Sequence, residues 1–571
     1  MISIINKAII ALSAIAITTS CTDLDRYPLA DPSSETWFTS ETQFDMSLAN
    51  IFRPGNTLWW ANGNEAWNDD FNYRDQVMGP VLLGTVNSQS DTDGYLKLHE
   101  FYQNRYKCIN RCNEIINNID KGRQHGIAES KLTNYEAIAR FTRACMYAQL
   151  VFHFGDVVYV DNTVSIEEAK SMSRTPKKDV LAKVWNDFDF AIDNLPVSMA
   201  GLQTVSKGAA LAMKARYSLY FGNYEEAAKC AKAVIDLDVY RLHPDYYQYF
   251  QENNDKESIF CIPAVPDQSI GTVQSPTSFV LRAWEGGTCS KNPTWALLAT
   301  YECTDGKRID ESPLFNPKNP FENRDPRCSA SIIPFGSRFF DLEFNPRPSA
   351  TKIMNYATGK MVKNLDNYPF GNANCSYNGL YWKKRVRANW IKGVVPDNDL
   401  VIVRLADIYL MYAEAMIEQN KIDQSVLDAI NIVRARAYGA KLEQTDKYPA
   451  ITTTDQAELR KRLRRERRVE FAFEGLRYYD LIRWHIAHKM IPCRLPVLFK
   501  DKNKAKANEV NWFWPYAPTF DENEKPNFDR MIDEGYCRVG GVPVFPERQY
   551  LWPIPVNEIM VNPNIEQNPG Y

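Results

Sequence analysis

The stretch KGAALAMKARYSLYFGNYEEAAKCAKAVIDL, residues 207–237, decides the fold. Its apolar residues recur at three- and four-residue steps, which predicts two helices with a turn at Gly222 between them. Gly222, Tyr224, Ala227 and Ala231 stand at the spacings of a tetratricopeptide repeat. Small side chains in the first helix let the two helices pack closely: Ala209, Ala210, Ala212 and Ala215. The segment therefore predicts one hairpin of a helical repeat scaffold.

The same periodicity predicts helices elsewhere in the chain. They cover residues 104–120, 131–154, 179–195, 403–419 and 424–437. Long stretches without periodicity separate them, at residues 54–94, 263–293, 313–396 and 500–548. Residues 258–262 and 379–385 alternate and predict short strands. The predicted fold class is mainly α, a tetratricopeptide-like scaffold with long loop-rich insertions and minor β-hairpins.

Composition excludes several classes of protein. The 571 residues carry 67 Lys and Arg against 70 Asp and Glu, a net charge of −3. This balance excludes a disordered chain and a nucleic-acid binder that depends on a basic surface. The chain has 13 Trp, 30 Tyr and 28 Phe but only 6 His, which favours aromatic contacts over histidine or metal chemistry.

Residues 1–20, MISIINKAIIALSAIAITTS, read as a secretory signal. One lysine precedes an apolar run that is shorter than the about 20 residues needed to cross a bilayer, and small residues follow it. Cys21 comes next, which predicts a lipoprotein cleaved before Cys21 and acylated on it. The alternative is ordinary signal cleavage beside an incidental cysteine. The other cysteines are scattered, and we predict neither a disulfide framework nor a zinc site.

Three patterns approach a metal site without completing one. HEFYQ, from His99, has Gln103 where a zinc protease needs its second histidine. His485 and His488 share a helix face but lack a third ligand, so the sequence favours a solvated helix end and no metal. Residues 89–100, including Asp91 and Glu100, match part of a calcium loop, but Gln89 replaces the first aspartate and favours a polar turn.

Signatures of catalysis and nucleic-acid binding are missing from the sequence. It contains no GxSxG, GxxxxGK[ST] or GxGxxG motif. The basic run at residues 458–484 is interleaved with acids at helical spacing, which predicts a structural ion network rather than a nucleic-acid site. The pairs expected across one helical turn are Arg467 with Glu470, Glu474 with Arg477, and Asp480 with Arg483. We predict no catalytic residue and no cofactor.

Two aromatic loops are the candidate binding site. LWWANGNEAWNDDFNYRD, residues 58–75, and FVLRAWEGGTCSKNPTW, residues 279–295, place rings beside amides and carboxylates. Flat rings suit the C–H faces of sugars or peptide side chains, and the polar groups give directional hydrogen bonds. The alternative is that the rings only pack the loops onto the scaffold. The predicted ligand-binding residues are Trp60, Trp67, Asn68, Asp69, Tyr73, Arg74 and Trp284.

Five segments in order carry a family resemblance. They are RFTRACMYAQLVFHFGDVVYV (140–160), PTWALLATYECTDGKRID (293–310), VRLADIYLMYAEA (403–415), RRERRVEFAFEGLRYYDLIRW (464–484) and RQYLWPIPVNEIMVNPNIEQNPGY (548–571). From Cys21 onward the chain resembles the SusD/RagB family of Bacteroidetes outer-membrane nutrient-binding lipoproteins. Asp23 and Asp25 resemble the signal that sends such lipoproteins to the cell surface. The expected regions are a signal peptide (1–20), an N-terminal helical region (21–250) and a C-terminal region with ligand-binding loops (251–571).

The resemblance implies a binding protein that works with a transporter. It implies a lipid-anchored outer-membrane protein, exposed at the cell surface, that captures a glycan and caps a SusC-like TonB-dependent transporter. One alternative is a RagB-like peptide-binding lid of the same type of transporter. A surface glycosidase or protease is the alternative from another class. The shared motifs do not carry binding residues position by position, so the site residues depend on the two aromatic loops alone.

Overall fold

The structure is a computed structural model that describes most of the chain. The described residues are 37–52, 64–73, 78–92, 96–197, 205–253, 256–264, 276–279, 281–282, 284, 287–371, 375–392 and 396–571. Cys21, Asp23, Asp25, Trp60 and Arg74 were singled out in the sequence but lie outside these residues.

Among the described residues, nine long helices form the scaffold and confirm a mainly α fold. They are α1 (Glu41–Phe52), α2 (Leu98–Asn117), α3 (Glu129–Phe154), α4 (Lys177–Asn194), α5 (Lys207–Tyr220), α6 (Tyr224–Asp236), α7 (Leu405–Glu418), α8 (Gln424–Ala437) and α9 (Gln456–Glu470). Shorter helices lie at Pro80–Leu83, Ile119–Gln124, Ile166–Ser171, Tyr246–Tyr249, Trp295–Thr300, Pro326–Ser331, Arg477–Arg483, Ala487–Met490, Lys502–Asn508, Asp529–Asp533 and Val556–Val561. No helix within the described ranges combines the length and the apolar character that crossing a bilayer requires.

The predicted hairpin at residues 207–237 is confirmed. Gly222 lies between α5 and α6 with φ +77°, a left-handed conformation that glycine adopts without steric cost. Asn223 then caps α6, its side-chain oxygen accepting the Glu226 N–H. The alanines of α5 are fully buried. The turn and the small residues thus produce the close pair that the sequence predicts.

The helices pack side by side in one continuous stack. Neighbours in the stack are α2, α3, α4, α5, α6, α7 and α8, in that order. Between α6 and α7 the chain leaves the stack at Asp236 and returns to it at Leu405. A buried ion pair joins the two sides of this excursion, with Arg216 Nη2 2.7 Å from Asp407 Oδ2. The two halves of the sequence therefore share one scaffold.

Fourteen short strands occur among the described residues. They are β1 (Phe71–Tyr73), β2 (Asp91–Thr92), β3 (Leu96–Lys97), β4 (Ser258–Ile262), β5 (Lys291–Pro293), β6 (Ser337–Phe339), β7 (Leu342–Phe344), β8 (Lys352–Asn355), β9 (Lys360–Lys363), β10 (Leu400–Arg404), β11 (Leu495–Val497), β12 (Thr519–Phe520), β13 (Pro526–Asn527) and β14 (Arg538–Gly541). Strands β6 to β9 form one antiparallel sheet, and the other strands pair as β1–β5, β4–β10, β11–β14, β12–β13 and β2–β3.

Strand β4 confirms the prediction for residues 258–262, and the prediction for residues 379–385 is wrong. There only Trp382 makes an isolated bridge, to Ile332. Leu380, Tyr381 and Trp382 are consecutive buried residues, so the segment lacks the buried and exposed alternation on which the prediction depended. The predicted helix start at Val403 is also too early, because β10 continues to Arg404 and pairs with β4.

Most of the basic run at residues 458–484 lies in the protein interior as a structural ion network. Glu470 on α9 is fully buried and contacts Arg327, Arg404 and Arg436 at 2.5–2.9 Å. Because these buried charges are paired with one another, the run serves packing, as predicted.

The structure confirms one of the three ion pairs that the sequence predicts across one helical turn. Asp480 binds Arg483 at 2.8 Å, which confirms the third pair. The predicted pair of Arg467 with Glu470 is wrong, since Arg467 binds Asp407 and Asp480 instead. Helix α9 therefore directs this arginine to α7 and to the following helix rather than along its own surface.

The predicted pair of Glu474 with Arg477 is wrong as well. Glu474 binds Arg404 and Lys384, each at 2.7 Å. Arg477 binds Asp69 at 2.8 Å. Each of the two side chains thus takes a partner from a distant part of the chain.

Candidate ligand-binding site

The two predicted aromatic loops meet at one small sheet. Strand β1 pairs antiparallel with β5, with Phe71 opposite Pro293 and Tyr73 opposite Lys291. Two hydrogen bonds extend the pairing, from the Thr294 N–H to the Asp70 carbonyl (3.0 Å) and from the Thr294 hydroxyl to the Asp69 carbonyl (2.8 Å). Segments that are far apart in the sequence therefore form one face, which we call the β1–β5 face.

The prediction that Trp67 presents its ring to a ligand is wrong. The side chain is only 2% exposed and ends a 3₁₀ turn, Asn64–Trp67, that leads into the core. Its ring packs edge-on against Trp552 at 5.0 Å and Tyr478 at 5.4 Å between centroids. Trp67 thus attaches the first loop to the scaffold, which is the alternative that the sequence left open.

Asn68 and Asp69 lie at the β1–β5 face, where they are held in place by internal contacts. The Asn68 side-chain oxygen accepts the Asp70 N–H at 2.8 Å, a short local turn. The Asp69 carboxylate accepts hydrogen bonds from Arg477 (2.8 Å) and Arg468 (2.9 Å). The acids of this loop are therefore bound to arginines of the α9 region.

Asp69 and Asp70 differ in protonation chemistry although they are neighbours. Burial favours the neutral form of Asp69, but the charges of Arg468 and Arg477 outweigh it and hold its pKa well below the usual range. Burial dominates at Asp70 and raises its pKa, although Arg468 Nη2 lies 2.6 Å from Oδ1. The Asp70 Oδ2 atom is buried and accepts no hydrogen bond from the part of the chain that the structure describes. Asp69 is therefore held ionised by its arginines, whereas burial favours the neutral form of Asp70.

A cavity of about 180 Å³ lies beside β1. This volume is below the about 300–1,000 Å³ of pockets that enclose a drug-sized ligand, so the cavity suits one small group of a larger ligand. Its walls combine apolar side chains with amides and charges. Lining residues include Asn68, Asp69, Phe71, Asn72, Met78, Thr294, Cys493, Arg494, Pro496, Asp521, Lys525, Asn527, Phe528 and Asp529.

Tyr73 and Trp284 keep part of their rings exposed. Tyr73 is half-buried at the end of β1 and packs edge-on against Phe71 at 4.9 Å. Trp284 is partly buried against Phe339 and Phe340, with centroid distances of 5.8 and 5.7 Å. These rings can offer a flat apolar surface to a ligand, which the buried Trp67 cannot.

Later parts of the chain contribute residues that the two loops do not contain. Phe340 supports Trp284 from the turn between β6 and β7, and Asn527 and Phe528 line the cavity. Their only signal in the sequence is that they fall in long stretches without periodicity.

The described residues of the partial calcium loop form two short paired strands and the start of a helix. Asp91 pairs with Lys97 across the two-residue strands β2 and β3. Glu100 lies in the first turn of α2 and binds Lys97 at 3.1 Å. The described residues of this segment thus use Glu100 for an ion pair at the start of a helix.

Comparisons with known proteins identify the family. A sequence model described as the SusD family matches residues 234–571, and one described as "Starch-binding associating with outer membrane" matches residues 27–219. The chain belongs to the SusD family. The resemblance seen in the sequence motifs is therefore confirmed.

Relatives of this SusD family chain match over most of its length. A SusD-like protein of Bacteroides ovatus is 22% identical, over 99% of this chain and 98% of its own. SusD-like protein P2 of Formosa agariphila is 26% identical, over 85% of this chain and 83% of its own. The crystal structure of a SusD-like carbohydrate binding protein from Bacteroides fragilis matches with a TM-score of 0.74 and 25% identity, over 93% of this chain and 100% of its own. The tetratricopeptide-like fold is thus confirmed.

Proposed function

We propose that this protein is a cell-surface lipoprotein that binds an oligo- or polysaccharide and delivers it to a SusC-like TonB-dependent transporter. The observation that carries the proposal is the β1–β5 pairing, which joins two aromatic loops beside a small cavity lined with amides. The descriptions of similar proteins support it, since one matched family model is named as starch-binding and the Bacteroides fragilis structure as carbohydrate binding.

Sugar recognition fits the chemistry of this face. The exposed parts of Tyr73 and Trp284 provide flat rings for the C–H faces of sugars, and Trp60 and Arg74 belong to the same proposal. Asn72 and Asn527 at the cavity offer both donors and acceptors to hydroxyl groups. Each such contact is weak, so we expect affinity to depend on several sugar units binding at once.

Charged groups at the cavity favour a glycan over a peptide. Arg494 Nη1 lies 2.7 Å from Asp533 Oδ1, and Lys525 donates to the Lys489 carbonyl at 2.9 Å. A peptide terminus would compete with these contacts, whereas neutral hydroxyls can add to them. A RagB-like peptide ligand is therefore the second candidate.

Capture without cleavage fits the carboxylates of the loop. Glycoside hydrolysis uses one carboxylic acid and one carboxylate on either side of the scissile bond. Asp69 is held by Arg468 and Arg477, and Asp70 is buried against Arg468. We infer that both acids shape the face and that the ligand leaves it chemically unchanged.

Titration of the purified protein with oligosaccharides and peptides of matched length tests the proposal. We expect saturable heat for at least one glycan series, none for the peptides, and full recovery of the glycan after prolonged incubation. Binding of peptides alone would replace the glycan proposal with the peptide candidate. The appearance of shorter glycans would overturn the binding-only role.

The anchor and the partner have separate tests. We expect Cys21→Ala to release the protein from the membrane fraction, with Cys493→Ala as the control that stays bound. We also expect a TonB-dependent transporter to co-purify with the wild-type protein from detergent-solubilised outer membranes. Membrane retention of Cys21→Ala would contradict lipidation at this residue.

A further inference from the structure

A third ligand joins the histidine pair that the sequence left incomplete. His485 and His488 follow the short helix Arg477–Arg483, and Glu547 arrives from a 3₁₀ turn, Glu547–Tyr550, much later in the chain. One ligand atom from each of the three side chains lies within 4.8 Å of the others. His485 Nε2 is already 2.9 Å from Glu547 Oε1.

The three side chains can close around an ion at little cost. A tetrahedral zinc site with bonds of about 2.1 Å separates its ligand atoms by about 3.4 Å. His485 and Glu547 are 61% and 67% exposed, so rotation of their side chains, without backbone movement, can bring the atoms to that spacing. The same exposure gives an ion free access.

Tyr550 positions both imidazole rings. Its hydroxyl lies 2.8 Å from His488 Nδ1, and its ring stacks on His485 with centroids 4.0 Å apart. A partner that orients a histidine ligand typically changes metal affinity by about 10–100-fold. The cluster thus has its ligands and a residue that fixes their orientation.

We propose that His485, His488 and Glu547 form a binding site for a divalent transition-metal ion, with zinc as the expected ion. Two histidines and one glutamate are a ligand set that zinc takes in proteins, with a fourth position left to water. Imidazole ligands favour zinc, nickel and copper, whereas magnesium and calcium prefer sites made of oxygens. This site is independent of the proposed glycan function.

An ion at this site would join two distant parts of the chain. The turn that carries Glu547 leads into a C-terminal segment docked on the N-terminal helices, where the Trp552 N–H donates to the His153 carbonyl. Binding to the folded state alone raises stability with metal concentration. The bound ion would therefore stabilise the contact between the C-terminal segment and the helical scaffold.

Metal titration of the full chain, purified without a histidine tag and treated with a chelator, tests the proposal. We expect one zinc ion per chain and a melting temperature that rises with zinc. His485→Ala, His488→Ala and Glu547→Gln should each weaken zinc binding at least thirty-fold, and Tyr550→Phe about ten-fold. With copper as probe, the electron paramagnetic resonance spectrum should show coupling to two imidazole nitrogens in wild type and to only one in each histidine variant.

His99→Ala is the matched control. His99 Nδ1 lies 3.8 Å from Glu558. Among the described residues, these two side chains have no third possible metal ligand beside them. The His99→Ala variant should therefore bind zinc as wild type does. Circular dichroism verifies that each variant is folded. Zinc affinity that is equal in wild type, Glu547→Gln and both histidine variants would overturn the proposal, as would equal losses in His99→Ala.

Discussion

The α9 charge network and the β1–β5 face differ in which side chains they bury and which they leave partly exposed. At α9, Glu470 is fully buried and bound by three arginines, so its charge is satisfied inside the protein. At the β1–β5 face, Tyr73 at the end of β1 keeps part of its surface exposed. Buried charges build the frame of this molecule, whereas under the proposed function the partly exposed rings bind the ligand. We expect substitutions in the network to affect folding and substitutions at the face to affect binding.

Glu470→Gln should have the largest effect. Removing its charge leaves three buried guanidinium groups without their common partner, which costs about 3–5 kcal/mol in the free energy of unfolding. Urea denaturation measures this loss. Glu458→Gln is the matched control on the same helix, because Glu458 is exposed and its pair with Arg462 contributes at most about 0.5 kcal/mol. Equal stabilities of the two variants would contradict the distinction between the regions.

Acid should weaken the network through Glu302. Burial raises the pKa of this carboxyl, but Arg434 and Arg465 lower it more, to about 2. Its ordinary value is 4.5, so its contribution to stability is present above pH 4.5 and is lost as the pH falls toward 2. The difference in unfolding free energy between wild type and Glu302→Gln should shrink by about 2 kcal/mol from pH 5 to pH 3. A constant difference over that range would show that Glu302 is not paired as described.

Trp67→Phe tests whether Trp67 belongs to the core or to the ligand-binding face. Trp67 belongs to the aromatic loop in the sequence but packs in the core, so the space left by the smaller Phe ring should lower the unfolding free energy by about 1–3 kcal/mol. Glycan affinity of the folded variant should stay within two-fold of wild type, as measured by calorimetry. A ten-fold loss of affinity with unchanged stability would return Trp67 to the binding site.

The scaffold was largely predictable because helix periodicity is local. The hairpin at residues 207–237 and helix α8 were predicted within one or two residues of their ends. The predictions for Glu470 and Trp67 failed because their contacts join distant segments of the chain. Glu470 binds Arg327 from a remote part of the chain, and Trp67 meets Trp552 in the core, so neither contact leaves a local pattern.

The candidate site was predictable only as two separate segments. Ring-rich loops could be recognised from composition, but their pairing through β1 and β5 joins distant parts of the chain. The third metal ligand illustrates the same limit, since Glu547 reaches His485 from a distant turn. Long-range pairing decides which of the predicted residues share a site, and neither composition nor spacing shows it.

The central claim is that the β1–β5 face binds a glycan. Calorimetric titration of wild type and variants with oligosaccharides tests it most directly. Wild type, the double variant Tyr73→Ala/Trp284→Ala and the control Trp185→Ala are titrated with the same oligosaccharide series. Trp185 is a partly buried tryptophan on α4 that packs against Phe188 and Phe221, so it controls for the loss of an aromatic ring. We predict that the double variant loses at least ten-fold in affinity, about 1.4 kcal/mol, while Trp185→Ala binds as wild type does. Equal glycan affinity in wild type and the folded double variant would contradict the account.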